Sequence, residues 1–302
     1  MADKKSCFHI RCVLSRIIPA YVFPMEWRLI VPGETGWASS GVEKAWEVRL
    51  RPGQPAVAAK PGGIWWGTHI LSPMEVSQAA QALCGYEMAA RQRELTEGFL
   101  PLPGGHRLGV CGVMGPRGFW EITSLCVRLA HEIKGAGAGI FPLVRGFSTL
   151  IAGPPGAGKT TLLRDLVRLY SLSGKAVGIA DERGEIAACR DGSSQLDVGP
   201  MTDVITGMRK ESALRLLVRS MAPQVAAADE IGGEEDAAAI GDALRCGVTV
   251  LASIHGRDLS DIRKHRGMEN LLGPGAFERI VTLTAPGERP MVLGWNGEEI
   301  KD

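Results

Sequence analysis

The sequence carries almost no excess of charge. Its 34 lysines and arginines face 33 aspartates and glutamates, giving a formal net charge of +1 over 302 residues. A chain so balanced exerts no overall pull on nucleic acid or on an anionic membrane. It also lacks a basic stretch studded with aromatics, which argues against a platform for single strands. The seven cysteines (Cys7, Cys12, Cys84, Cys111, Cys126, Cys189 and Cys246) are odd in number, irregularly spaced and without a Cys-x-x-Cys pair. That argues against a disulfide framework or zinc site and for a reducing compartment. No apolar run approaches the ~20 residues that span a bilayer. The start, Met1 to Phe23, interrupts its apolar residues with Lys4, Lys5, Arg11 and Arg16, a poor secretory signal. Internal repeats and low-complexity tracts are missing too. The expectation is a cytoplasmic protein that reaches a membrane only through a partner.

What is present is the material of a folded core. Hydrophobic residues make up 45% and charged residues 22%, and the length fits one large domain or two ordinary ones. The first half reads as α+β. Trp46 to Leu50 alternates as a strand, turned by Arg51-Pro52-Gly53. Ser72-Pro73-Met74-Glu75 starts a helix, with a hydroxyl cap, a proline in the first turn and a glutamate three residues past the cap. Val76, Ala79, Ala80 and Leu83 follow at helical spacing. Gly104 and Gly105 turn into a strand over Arg107–Val113, and Leu125–His131 is a further apolar stretch. The glycine-rich Gly135–Gly139 suggests a flexible boundary near residues 135–143. The division expected is an N-terminal α+β domain over 1–140 and an α/β domain over 141–302. In the second half, short apolar runs at Thr149–Ala152, Ala176–Ala180, Val225–Ala228 and Val248–Ile254 alternate with helical stretches. These are buried parallel strands joined by crossover helices. Ile280–Thr284 and Met291–Trp295 read as two strands around a Pro-Gly turn.

One motif carries explicit chemistry. Gly153-Pro154-Pro155-Gly156-Ala157-Gly158-Lys159-Thr160, continued by Thr161, fits the phosphate-loop pattern G-x-x-x-x-G-K-[ST]. A strand enters it, and a helix leaves with Leu162, Leu163, Leu166, Val167 and Tyr170 at helical spacing. The glycines let backbone N–H groups curl around phosphate oxygens, and the helix N-terminus adds partial positive charge. Lys159 then reaches the β and γ phosphates of ATP, and the Thr160 hydroxyl binds Mg²⁺.

A second acidic element follows. The apolar Val225–Ala228 runs into Asp229-Glu230, and the carboxyl ends of parallel strands face the ligand crevice. Asp229 is placed to hold the Mg²⁺ shell and Glu230 to polarise an attacking water as general base. The adjacent glutamate separates a water-activating ATPase from a P-loop kinase, and no Asn-Lys-x-Asp guanine-reading element occurs. His255 ends the strand Val248–Ile254. It is either a γ-phosphate sensor or surface polarity, and position alone does not choose. Asp181-Glu182-Arg183-Gly184-Glu185 orients water or Mg²⁺, or is a charged surface turn; the residues alone favour the turn. Arg209, Lys210, Arg215 and Arg219 are candidates for an arginine acting across a subunit boundary. Arg49, Arg51, His106 and Arg107, beside glycine and proline turns, read as solvated loops.

Several segments together resemble the stage III sporulation protein AA ATPases of endospore-forming bacteria, which are similar to the motor ATPases of type II and type IV secretion and pilus systems. The resemblance covers most of the chain. It is carried by Glu47–Gly53, Gly98–Gly112, the phosphate loop, Asp181–Ile186, Asp197–Gly199, Thr202–Val204, Arg219–Pro223, Asp229–Gly232 and Ser253–Gly256. It implies a RecA-like P-loop NTPase domain with a parallel sheet behind the smaller α+β domain, and a homo-oligomeric ring, hexameric, with ATP near subunit boundaries. Lys159 and Thr160 would bind phosphate and Mg²⁺, and Asp229 and Glu230 would form the second acidic site. Asp181 and Glu182 match an acidic box, and His255 a histidine box, which makes Glu182 and His255 catalytic candidates beside Lys159 and Glu230. Gly184 departs from the family's usual serine, and Val225–Ala228 is richer in alanine than the family strand. The N-terminal segment to about Met25 carries no resemblance.

The expectation is an ATP-hydrolysing motor that energises a membrane-associated secretion or channel complex during endospore formation. Its partners would be membrane proteins of the stage III sporulation group, on the mother cell side of the septum, and no nucleic acid. A RecA-like nucleic-acid motor and a nucleotide-gated scaffold are the alternatives.

Overall fold

The computed structural model describes residues 45–60, 63–84, 95, 100–115, 118–190 and 192–301; the segment Met1–Phe23 lies outside them. The chain divides into two compact units, Met1–His131 and Glu132–Asp302.

The first unit holds β1 (Glu47–Leu50), β2 (Pro55–Lys60), β3 (Gly63–Ile70), α1 (Pro73–Leu83), β4 (Leu100–Pro101), β5 (Arg107–Gly115) and β6 (Gly118–Arg128). The strands form an antiparallel sheet in the order β3-β2-β1-β6-β5-β4. Alternation places Val48, Leu50, Leu108, Leu125 and Val127 in one buried cluster with Val76, Ala79, Ala80 and Leu83 of α1, as period-2 strands and an amphipathic helix require. The helix starts at the expected cap. Ser72 Oγ accepts from the Glu75 amide at 3.3 Å, and the Glu75 carboxylate accepts from the Ser72 amide at 2.7 Å. Of the positions expected in solvated loops, Arg51 follows β1 outside any strand, Arg107 opens β5, and two others are held by specific contacts. Arg49 lies on β1 and pairs with Glu47. His106 is buried, and its Nδ1 accepts from the Ala130 amide at 2.9 Å.

The second unit holds β7 (Thr149–Gly153), α2 (Lys159–Leu172), β8 (Val177–Asp181), β9 (Thr202–Thr206), α3 (Lys210–Met221), β10 (Val225–Ala228), α4 (Glu234–Arg245), β11 (Thr249–His255), β12 (Arg279–Thr282) and β13 (Met291–Gly294). The sheet order is β13-β12-β7-β11-β10-β8-β9. It is parallel from β12 to β9, and β13 joins antiparallel to β12, so the sheet is mixed rather than wholly parallel. Every residue of β7, β8 and β10 is buried, which is why these strands read as unbroken apolar runs. Leu162, Leu163, Leu166 and Val167 of α2 cover one face, each worth about 1.5–3 kcal/mol when fully buried. β9 is half-exposed at the sheet edge.

The topology places the chemistry. β11 lies between β7 and β10, in register so that His255 faces Gly153 and Ala252 faces Ala228. β10 in turn pairs Ala228 with Ala180 of β8. The carboxyl ends of four neighbouring strands therefore present Gly153, His255, Asp229 and Asp181 along one edge, as expected for a ligand crevice in an α/β sheet.

The glycine-rich stretch makes specific contacts with α2. It lies within the second unit, which begins at Glu132, before the expected division at residue 140. The Gly137 amide donates to the buried Asp165 Oδ2 at 2.8 Å, and a Cβ at Gly137 would lie 2.9 Å from Leu166 Cδ2. Glycine permits this close approach to α2. Asp165 is held in turn by Arg168 through Nε and Nη2, at 2.9 and 2.6 Å. Amide hydrogen exchange checks the point. Residues 135–140 are expected to be protected in the native protein and to exchange about tenfold or more faster in Asp165→Ala. Equal exchange in the two proteins would mean that the stretch is a loose hinge after all.

Candidate active site

The phosphate loop joins β7 to α2. Gly153 ends the strand, Pro154 to Gly158 form the loop, and Lys159, Thr160 and Thr161 open the helix. Gly156 and Gly158 have φ of +77° and +96°, a conformation open to glycine at little cost. Gly158 offers α2 no side-chain cap, and the helix has no acid in its first turn. Its leading N–H groups and partial positive charge are left for an anion.

Lys159 is buried and folds back onto its own loop. Nζ donates to the carbonyls of Gly153 at 2.9 Å and Pro154 at 3.0 Å, and lies 3.1 Å from His255 Nδ1. Burial pushes its pKa below the usual 10.5, while Asp229 and Glu230 pull the other way. With the ammonium donating, Nδ1 is the acceptor and the imidazole hydrogen belongs on Nε2. That nitrogen lies 3.2 Å from Glu230 Oε1. Lys159, His255 and Glu230 thus form one hydrogen-bonded row. The row ends on Arg183, whose Nη1 donates to Glu230 Oε2 at 2.7 Å.

Asp229 ties the neighbouring elements together. Oδ2 accepts from Thr160 Oγ1 at 2.6 Å, and Oδ1 accepts from the Ser253 hydroxyl and from the Glu230 amide, the latter at 3.1 Å. The Glu230 amide also donates to Ser253 Oγ at 2.9 Å, and the Ile231 amide to the Ser253 carbonyl at 2.9 Å. These bonds hold Glu230 at φ +51°, left-handed for a residue with a Cβ and costing about 1–3 kcal/mol. The turn aims its carboxylate at His255.

The segment after β8 departs from a surface turn. Asp181 is buried and accepts from the amides of Glu185, Ile186 and Ala187, at 2.7, 3.1 and 2.9 Å. Burial pushes its pKa up, opposed by the amides of Ala187 and Ile186 and by Arg164. Arg164, on α2, donates to the carbonyls of Ile186 at 2.6 Å and Glu185 at 2.7 Å. One acid and one base therefore grip the same backbone from its two sides. Glu182 pairs with Lys210 Nζ at 3.1 Å. Glu182, Arg183, Lys210, Asp229 and Glu230 line a niche of about 20 Å³, room for one water.

The phosphate loop, Asp181, Glu182, Asp229, Glu230 and His255 lie along this edge. Arg209 pairs instead with Glu211 and Glu235, and Arg215 with Asp242 at 3.2 Å. No local sequence pattern gives Ser253 or Arg164 a role at the site. Ser253 stands two residues before His255 on a strand, hence on the same face. Arg164 stands one helical turn beyond Thr160 within an apolar helix face, and a buried arginine there needs carbonyl or carboxylate partners. The donor set suits Mg²⁺ bound with a nucleotide. Among the described residues no group of three or more His, Cys, Asp or Glu gathers to hold a metal alone. One hydroxyl and one carboxylate, completed by phosphate oxygens, is the usual Mg²⁺ arrangement.

The family model described as sporulation stage III, protein AA, matches residues 36–300. The chain is 36% identical over 251 residues to the stage III sporulation protein AA of Bacillus subtilis (strain 168), covering 79% of this chain and 82% of that one. Among solved structures it is similar to the ATPase DotB of Legionella pneumophila, with a TM-score of 0.55 at 15% identity over 85% of this chain and 75% of that one. It is also similar to the pilus retraction motor PilT with bound ADP, with a TM-score of 0.52 at 17% identity over 81% and 76%. These two likenesses show a shared RecA-like fold.

Removing the Ser253 hydroxyl leaves an Asp229 oxygen and the Glu230 amide short of a partner. Ser253→Ala is expected to destabilise by about 1–3 kcal/mol and to lower Tm by several degrees, at roughly 2–4 °C per kcal/mol for a unit of this size. The control, Ser260→Ala, exposed in the short helix Leu259–Ile262, should leave Tm nearly unchanged. Thermal melts that match for the wild-type and Ser253→Ala proteins would mean that the strap does not hold the turn.

Proposed function

The chain belongs to the sporulation stage III protein AA family, and we propose that it is an ATP-hydrolysing motor for a membrane-associated secretion or channel complex during endospore formation. The observation that carries this is the Lys159–His255–Glu230 row lying beside the Thr160–Asp229 bond. Phosphate-binding, metal-holding and water-activating groups meet at one sheet edge.

ATP would take Lys159 away from the loop carbonyls and onto its β and γ phosphates. Residues Gly153 to Thr161 would cradle the triphosphate through backbone amides. Thr160 and Asp229 would hold Mg²⁺, which supplies neutralisation of phosphate charge. Glu230 would orient a water, taking its proton as the oxygen bonds to the γ phosphorus and the bond to the departing ADP breaks. His255, joined to both Lys159 and Glu230, is suited to couple phosphate occupancy to the base. Glu182, on the niche wall, would help to position the water.

A cavity of about 450 Å³ opens beside Pro154, Pro155 and His255, with room for a residue from a second copy. The working form we propose is a ring, hexameric, with sites completed between subunits. It would work from the cytoplasm, peripheral to the membrane on the mother cell side, on membrane proteins of the stage III sporulation group. Nucleic acid is not among the proposed partners.

Calorimetric titration with ATP beside a phosphate-release assay tests the roles. Lys159→Ala is expected to lose nucleotide binding. Glu230→Gln should bind within about threefold of wild type yet lose turnover by a factor of about 10²–10⁴. Unchanged turnover in Glu230→Gln would remove the general-base assignment. Bound ATP that persists intact in the wild-type protein would turn the motor into a nucleotide-gated scaffold.

A further inference from the structure

We propose that Arg183 is a positioning residue that separates ATP binding from ATP hydrolysis by holding the Glu230 carboxylate away from its working position; this rests on the proposed ATPase function. Both oxygens of Glu230 are engaged. His255 Nε2 lies 3.2 Å from Oε1, and Arg183 Nη1 lies 2.7 Å from Oε2. The first contact responds to nucleotide. His255 is bonded through Nδ1 to Lys159, and Lys159 must leave that bond to reach phosphates. The second contact belongs to the other side of the crevice and has no such link. Filling the phosphate loop therefore loosens one hold on Glu230 and leaves the other in place.

Arg183 is mounted to act in this way. Its neighbour Asp181 is buried and fixes the amides of residues 185–187, while Arg164 fixes the carbonyls of Glu185 and Ile186. Glu182 is pinned to Lys210, and Gly184 closes the turn at φ +65°. A rigid base thus delivers a long side chain across the niche. The Arg183 side chain is 60% exposed and that of Glu230 31%, so solvent screens the pair and it is weak enough to open. Its release is a step distinct from nucleotide arrival.

The test is steady-state ATP hydrolysis by the full chain as wild type, Arg183→Gln, Arg183→Lys, Glu230→Gln and the double variant Arg183→Gln/Glu230→Gln. Arg183→Gln is expected to raise kcat about two- to fivefold with KM for ATP unchanged, the scale of one exposed ion pair. Arg183→Lys, which keeps the charge, should fall between it and wild type. The double variant should be as slow as Glu230→Gln, because the effect runs through that carboxylate. A merely structural arginine would not produce this split of kcat from KM. Unchanged or lower kcat in Arg183→Gln, with wild-type turnover intact and abolished by Lys159→Ala, would overturn the role of Arg183 alone. No turnover in any variant, with ATP bound, would overturn the ATPase function and this inference together.

Discussion

The site is organised around the Asp229 carboxylate. Its two oxygens accept from Thr160 on α2, from Ser253 on β11 and from the amide of Glu230. A partly buried carboxylate needs such partners, because burying it unpaired would cost several kcal/mol. By meeting that need with a residue of α2, a residue of β11 and the next amide of its own segment, Asp229 ties the phosphate-loop helix to β10 and β11. The left-handed turn at Glu230 follows from it. The amide of Glu230 donates to both Asp229 and Ser253, and its carboxylate meets His255 and Arg183.

A second buried carboxylate does comparable work one strand away. Asp181 ends β8 as Asp229 follows β10, and it spends its oxygens on backbone amides rather than on side chains. Arg164 completes the grip from α2. The phosphate-loop helix is therefore tied to both acidic strand ends, through Thr160 and through Arg164 one turn later. The turn carrying Glu182 and Arg183 is thus part of the site's frame.

Much of this was legible in the sequence, because the strongest signals are local. The phosphate loop has fixed spacing, the apolar runs of β7, β8, β10 and β11 are short and unbroken, and the Ser72–Glu75 cap is written within four residues. What escaped depends on neighbours distant in sequence. Ser253 matters because β11 inserts between β7 and β10, an order that no local pattern encodes. Asp181 reads as a charged turn until Arg164 and three amides surround it. The glycines of residues 135–139 suggest slackness, yet Gly137 lacks a side chain because α2 passes too close. The half-exposed edge strand β9 has no apolar run to announce it.

In the proposed function, phosphate, metal and water chemistry converge at one sheet edge in a working ATPase. The measurement that addresses it most directly is ATP hydrolysis by the purified full chain, with and without Mg²⁺, over a range of protein concentrations. Mg²⁺-dependent turnover is expected, with a rate per molecule that rises with concentration, as sites completed between subunits would require. Bound ATP without turnover at any concentration, or turnover indifferent to Mg²⁺, would contradict it.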